Sequence, residues 1–375
     1  MKIFMFVSNF LPHLGGLEFY VHDISQSLNK NWADDVHIIC FDDAEKLCEE
    51  HTHYKIHRVK RLAVIGGVFS IPSPLSLIRV LKRLLRDSGK PQQIWTHTRF
   101  FVSSLVGVIV AKCLGIRVLH VEHGSTHVVH KNSAIHFFAW AWDQSLGRIV
   151  LRSADHVVVV APQATSFVKK LGAQRVSFIP AGVSERFLKG PRDRYVIPTV
   201  PVFLFVGRLL PGKGVENLLR ALSDPRLESA QLDIIGDGPE RTYLEELTKD
   251  LGLSSRVRFH GAVAREELHR WYKSASLFVN PSFSEGGPLT VLESLALGVP
   301  VVSTPVGCVT QYFEASEGHG LLTQGFTVED LTSALKRAIH TFAIQDGVRC
   351  SQKLGSTFSW QQVAGKIRTL GEPLK

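Results

Sequence analysis

Cysteine is scarce in this chain: Cys40, Cys48, Cys113, Cys308 and Cys350 are the only five in 375 residues. They are odd in number, widely spaced and free of any Cys-x-x-Cys pair. That pattern excludes a disulfide scaffold and a zinc site, and reads as packing residues in a reducing, cytoplasmic setting. No apolar run reaches the roughly 20 residues of a membrane-spanning helix. The segment FFVSSLVGVIVA from Phe100 falls well short, and the start MKIFMFVSNF is too short and too strand-like for a signal peptide. No G-x-G-x-x-G follows the first strand, which carries LPHLGGLEF instead, and no Walker A loop or Asp-x-Asp pair occurs. A dinucleotide fingerprint, a P-loop and a dedicated metal motif are thereby set aside. Nor is there a helix-turn-helix, zinc-finger or RNA-binding signature, so no nucleic-acid partner is expected.

What is present is an ordinary soluble composition, 45% hydrophobic and 21% charged, long enough for about two domains. Short apolar runs (KIFMFVSN, DVHIIC, QIWTH, RVLHVEH, HVVVVAP, VSFIP) alternate with helical patterns such as LEFYVHDISQSL and PLSLIRVLKRLLRDSG. VFLFVG, QLDIIG, VRFHG, SLFVN and VPVVST repeat the plan in the second half. The alternation predicts an α/β protein of two doubly wound, Rossmann-like parallel-sheet domains, residues 1–185 and 195–358. The join lies in the aperiodic, proline-bearing stretch from Glu185 to Pro201. Residues 1–180 hold 21 Lys and Arg against 13 Asp and Glu, so they carry +8 of the chain's +9. A basic first half suits an anionic surface.

Two segments carry the chemistry. In SFSEGGPLTVLESLALGVPVVST, Glu285 and Glu293 stand eight positions apart around a Gly-Gly-Pro turn. Pro288 suits the first turn of a helix and Gly298 its stop. Val299 to Val302 behind it reads as a buried parallel strand. Glu285 therefore sits on a loop before a helix N-terminus, which favours anions, and Glu293 rides on the helix. In VFLFVGRLLPGKG a strand ends at Gly207 and delivers Arg208 and Lys213 beside a turn. Gly212 and Gly214 there allow close backbone approach. A guanidinium grips phosphate bidentately and an ammonium acts as a point charge. Two cations, a helix dipole and two carboxylates outline a pocket for a nucleotide sugar.

GRLLPGKG followed by SEGGPLTVLE resembles the donor site of retaining GT-B glycosyltransferases of family four, the group that includes phosphatidylinositol mannosyltransferases. SNFLPHLGGLEFYVHDIS, RSADHVVVVAPQATSFV, IIGDGPERTYLEEL, VRFHGAVAREELHRWY and FSWQQVAGKI fall in the family's order along the whole chain. The resemblance implies two facing domains with a deep inter-domain cleft. The first would bind the acceptor, with a last helix (about 359–375) packing back on it, and the second would bind the donor. It implies that Glu293 binds ribose hydroxyls and that Glu285 lies by the transferred sugar, as nucleophile or as positioning group. Arg208 and Lys213 would neutralise the diphosphate leaving group. The backbone at Gly207, Gly286, Gly287, Pro288, Leu289 and Thr290 would line the donor, and Val263 would hold the base. Gly15 and Gly16 would approach the phosphates, and His123, chosen from a region that also holds His120, His127 and His130, would face the sugar. No metal or cofactor is implied beyond the UDP- or GDP-linked donor substrate.

Two departures stand out. Ala181, Gly182, Val183 and Ser184 replace the family's Asn-Gly-Val-Asp, and Cys308 replaces the second glycine after Gly307; neither is expected to touch the donor residues. The implied activity is transfer of a hexose-type sugar, with retention and without metal, to a glycan or lipid-linked acceptor in cell-surface polysaccharide synthesis. A sugar-nucleotide 2-epimerase and a non-catalytic partner subunit are the alternatives. Peripheral attachment to an anionic membrane rests on two segments. One mixes Leu75, Ile78, Leu81 and Leu85 with Arg79, Lys82, Arg83 and Arg86; the other crowds Phe137, Phe138, Trp140 and Trp142.

Overall fold

A computed structural model of the chain describes residues 1–13, 15–42, 48–65, 69–124, 126–127, 133–190, 200–342 and 347–371. The chain divides into two compact units, Met1–Ala181 with Trp360–Lys375, and Gly182–Ser359. Val183 belongs to the second unit because its N–H donates to Phe358 O at 2.7 Å and it bridges Ser359. Most of the expected join, 191–199, lies outside the described residues, as does His130.

The first unit is built on strands β1 (Lys2–Val7), β2 (Asp35–Phe41), β3 (Cys48–His51), β4 (Tyr54–Val59), β5 (Arg61–Ile65), β6 (Phe69–Pro72), β7 (Gln93–His97), β8 (Arg117–Glu122), β9 (His156–Val159) and β10 (Val176–Phe178). Its main sheet runs β10-β9-β8-β7-β1-β2-β4-β3, parallel except for the antiparallel edge strand β3; β5 and β6 form a separate hairpin. Ile3, Phe4, Met5, Phe6 and Val7 are all fully buried, as a central strand covered on both faces requires. The helix Gly16–Trp32 presents Tyr20, Val21, Ile24 and Leu28 inward at helical spacing. The helix Trp360–Leu370 packs on it. Trp360 Nε1 donates to Asp23 Oδ2 at 3.1 Å, and Arg368 Nε donates to Asp34 Oδ2 at 2.9 Å.

The second unit holds β11 (Val202–Val206), β12 (Gln231–Ile235), β13 (Val257–Gly261), β14 (Leu277–Asn280), β15 (Val301–Ser303) and β16 (Gly320–Leu322). They form one parallel sheet in the order β13-β12-β11-β14-β15-β16. The first and fourth strands of the unit are therefore neighbours, and the chain leaves them in opposite directions across the sheet. That is the switch point where doubly wound folds leave a crevice beyond the strands' carboxyl ends. Phe203, Leu218, Leu219, Ile234, Leu277 and Leu335 pack the core beneath it.

Of the two segments held to suit a membrane, the helix Pro74–Ser88 buries Val80 and Leu84 and packs Leu77, Leu81 and Leu85 against the sheet. Arg79, Lys82, Arg83 and Arg86 face outward with Leu75 and Ile78. Phe137, Phe138 and Trp140 are exposed, at 62%, 76% and 45%. Trp142 instead turns inward, its Nε1 donating to Arg99 O at 3.2 Å. No helix among the described residues is long and apolar enough to cross a membrane.

Candidate functional site

The turn after β11 and the turn after β14 are fastened to each other. Phe283 N donates to Gly212 O at 2.8 Å. Gly214 has a left-handed backbone, φ +72°, and a Cβ there would strike the Pro281 carbonyl. Glycine at 214 thus serves contact between the two turns. Gly212, φ +91°, has open space where its Cβ would be, and is the one free to face a ligand. On the other flank Leu209 N donates to Asp237 O at 2.9 Å, and the Gly207 and Leu209 carbonyls leave no room for a Cβ on Gly236 or Gly238.

This clamp brings Lys213 and Glu285 together. Lys213 Nζ lies 2.7 Å from Glu285 Oε1, and Ser282 Oγ donates to the same oxygen at 2.8 Å. Asn280 Oδ1 lies 3.0 Å from the same Ser282 hydroxyl, whose single proton the two acceptors share, so the last residue of β14 borders the turn that holds Glu285. Arg208 is exposed, and its guanidinium pairs with no described residue, which leaves its fork available for an anion. Pro288 stands at the N-cap rather than in the first turn of the helix Leu289–Ala296, with ψ 100°. Its lack of an N–H costs nothing there either. Gly286 is tied to the departure noted at 307 and 308. Cys308 N donates to Gly286 O at 3.2 Å, and a Cβ on Gly307 would strike that carbonyl. The expectation that this departure stands clear of the donor residues is therefore corrected. Cys308 is fully buried, which pushes its thiol up to about 12 and leaves it inert.

Glu293 is only 4% exposed. Arg265 Nη2 donates to its Oε1 at 3.1 Å and the Tyr272 hydroxyl donates to its Oε2 at 3.1 Å. Burial, then the charge and hydrogen bond of Glu293, holds Tyr272 well above the usual phenol range, so it stays a donor. Arg265 follows Val263 by two residues on the loop after β13, so the base-side and ribose-side candidates share one wall of the unit. Neither Arg265, Tyr272 nor Ser282 was legible as a site residue.

In the first unit Gly15 is the N-cap of the helix Gly16–Trp32, in an extended conformation, and a Cβ on it would strike the Glu18 carboxylate. His123 directly follows β8. Its Nε2 lies 3.3 Å from His97 Nδ1, and the Tyr20 ring meets it edge-on, centroids 4.7 Å apart. Burial, outweighing the opposing Glu122 charge, brings its imidazole down to about 4. The loop around it is pinned by a buried ion cluster that the sequence did not reveal. Arg99 Nη1 lies 3.0 Å from Glu122 Oε1, and Arg99 Nε and Nη2 grip Asp143 at 2.9 and 3.0 Å. Gly124 N donates to Glu122 Oε1 at 2.8 Å, Arg99 Nη2 to Thr126 O at 2.9 Å, and His127 Nδ1 lies 2.6 Å from Asp143 Oδ2. His120 is fully buried between Thr96 and Glu122. His120 and His127 are thus structural, while His123 keeps Nδ1 without a partner among the described residues. His123 and the residues around Lys213 belong to separate units.

Two Rossmann-like units, the second with this cation and carboxylate cluster at its switch point, define the GT-B architecture. Sucrose-phosphate synthase from Thermosynechococcus elongatus superposes with a TM-score of 0.80 at 22% identity, over 98% of each chain. Anabaena HepE, solved with UDP-glucose, gives 0.74 at 18% identity, again over 98% of each. Residues 14–187 match glycosyltransferase family 4, and residues 192–343 match glycosyl transferases group 1. A D-inositol 3-phosphate glycosyltransferase of Nocardioides sp. is 27% identical over 93% of this chain and 83% of its own. The chain belongs to the family-four, group 1 glycosyltransferases.

Proposed function

We propose that the chain is a retaining hexosyltransferase whose second unit holds a nucleoside diphosphate sugar at the β11/β14 switch point. The Lys213–Glu285 pair at 2.7 Å, on the same turn as an exposed Arg208 whose guanidinium pairs with no described residue, carries this reading. Arg208 and Lys213 meet the diphosphate, and the backbone N–H groups of Gly286, Gly287, Leu289 and Thr290 meet it where the chain enters the helix Leu289–Ala296, with Pro288 shaping that turn. Glu293 accepts from the ribose hydroxyls, and Val263 lies toward the base. Gly15, Gly16 and His123 are the first unit's contributions. UDP is the first base to test, because the Anabaena protein of the same fold was solved with UDP-glucose.

The bond between the anomeric carbon and the β-phosphate oxygen breaks while the acceptor oxygen bonds to the same face of that carbon. The acceptor's proton passes to the departing phosphate oxygen. Negative charge grows on the diphosphate as this happens, so fixed cations stabilise the transition state more than the ground state. Arg208 and Lys213 supply the neutralisation a divalent ion would otherwise give, which makes the reaction metal-independent. The acceptor is a glycan on a lipid carrier at the cytoplasmic face of the membrane, in cell-surface polysaccharide synthesis. The exposed Phe137, Phe138 and Trp140 and the basic face of Pro74–Ser88 support peripheral attachment there. Equal sedimentation with neutral and anionic vesicles would count against that attachment.

Turnover of UDP-, GDP- and ADP-sugars with lipid-linked acceptors tests the reading. NMR of the product should show the donor's anomeric configuration, unchanged by chelator. Arg208→Met and Lys213→Met should each cost on the order of 10²–10³ in kcat. Inverted product would refute retention, and undiminished turnover in both variants would refute the site.

A further inference from the structure

His97 is fully buried at the end of β7, and its two ring nitrogens have different surroundings. Nδ1 faces His123 Nε2 at 3.3 Å, whereas Nε2 is buried with no hydrogen-bond partner among the described residues. Burial, then the neighbouring His123 and His120, holds His97 well below the usual imidazole range, so both rings of the pair are neutral. One proton is therefore shared in the contact. If His123 were the donor, His97 would carry its own proton on Nε2, a buried N–H with nothing to accept it. If His97 is the donor, only a bare lone pair is left buried. Buried N–H groups left without an acceptor are rare in folded proteins, and bare acceptors somewhat less so, which favours His97 as the donor.

We propose that His97 is a positioning residue that fixes the tautomer of His123. Its Nδ1–H donates to His123 Nε2, so His123 carries its proton on Nδ1 and presents it as a hydrogen-bond donor to a substrate hydroxyl oxygen. The orientation is held by two further contacts. The Tyr20 ring closes on the imidazole at 89°, and Glu122 binds the Gly124 amide and so fixes the backbone just beyond His123. His123 presented this way donates and does not abstract a proton. The donor role rests on the reading of His123 as a substrate contact; the tautomer does not.

The test is long-range ¹H–¹⁵N correlation on histidine-labelled protein, with His123 assigned from its loss in His123→Asn. The expected wild-type pattern is a pyrrole-type Nδ1 and a pyridine-type Nε2 at His123. In His97→Leu the proton should move to Nε2 or average, with turnover down on the order of ten-fold, one hydrogen bond's worth. His97→Asn places an amide N–H where Nδ1 was, and should restore both pattern and rate. A wild-type His123 protonated on Nε2 would overturn the proposal without any variant. So would an unchanged pattern in His97→Leu. If the pattern is as expected but His123→Asn turns over normally, the donor role is overturned and the substrate-contact reading fails with it.

Discussion

Arg99→Met should destabilise the first unit far more than an ordinary substitution. Arg99 is 1% exposed, and Glu122 and Asp143 are fully buried on either side of it. The methionine would keep the apolar stem near Phe167, whose ring lies 4.4 Å from the guanidinium carbon. It would leave two carboxylates in low dielectric without their cation. Breaking a buried pair from one side costs about 3–5 kcal/mol, because the remaining charge cannot be rehydrated. At about 2–4 °C per kcal/mol for a domain of this size, the unit's transition should fall by roughly 6–20 °C. Calorimetry on the whole chain reads this, provided the thermogram is resolved into separate transitions rather than fitted as two-state. Adding Asp143→Asn should recover part of the loss, since one stranded charge is removed. Turnover should fall with stability, because Glu122 also holds Gly124 beside His123. A shift under about 2 °C would refute the claim that the cluster is desolvated and pins this loop.

Gly214→Ala should cost at least about 2 kcal/mol in urea unfolding, combining a left-handed φ with a clash on Pro281, whereas Gly212→Ala should cost about 1 kcal/mol of backbone strain alone. Equal losses would deny that the two turns are fastened at Gly214. A pH effect follows from His57, which burial, then His37, Lys55 and Arg83, bring down to about 4 from 6.5 against the opposing Asp35. Above about 6.5 the ring is neutral folded and unfolded. As pH falls from about 6.5 toward 4 the unfolded chain takes a proton that the folded one refuses, so stability drops over that window. Urea midpoints at pH 7 and pH 5 should differ less in His57→Gln than in the wild type; identical differences would contradict this.

Strand and helix alternation was readable because both main sheets are parallel apart from the edge strand β3 and covered on two faces, so that stretches such as Ile3–Val7 and Val202–Val206 are unbroken apolar runs. β3 and β4 were not, since CEEH and YKIHRV carry charge where they pair at the edge of the sheet. Gly207, Arg208, Lys213, Glu285 and Glu293 were legible because each lies within a local motif next to a strand or helix end. Their partners were not. Ser282 and Asn280 look like ordinary turn residues. Arg265 and Tyr272 reach Glu293 from 28 and 21 positions away. The Arg99 cluster gathers residues from β8, the loop after β7 and a π-helical turn at Asp143–Gly147, which no periodicity announces. Gly214 was legible as a close approach but not as to what, since only the fold puts Pro281 there.

Nucleoside diphosphate binding to the second unit's switch point is the most direct test of the donor site. UDP, GDP and ADP, each in large excess, should be tried by thermal shift on the whole chain and on Glu293→Ala and Lys213→Met. One of them, at 100 times its dissociation constant, should add about 2.7 kcal/mol to the wild type. Both variants should lose most of that gain. No shift with any nucleotide, or an equal shift in Lys213→Met, would contradict a donor site built on Lys213, Glu285 and Glu293.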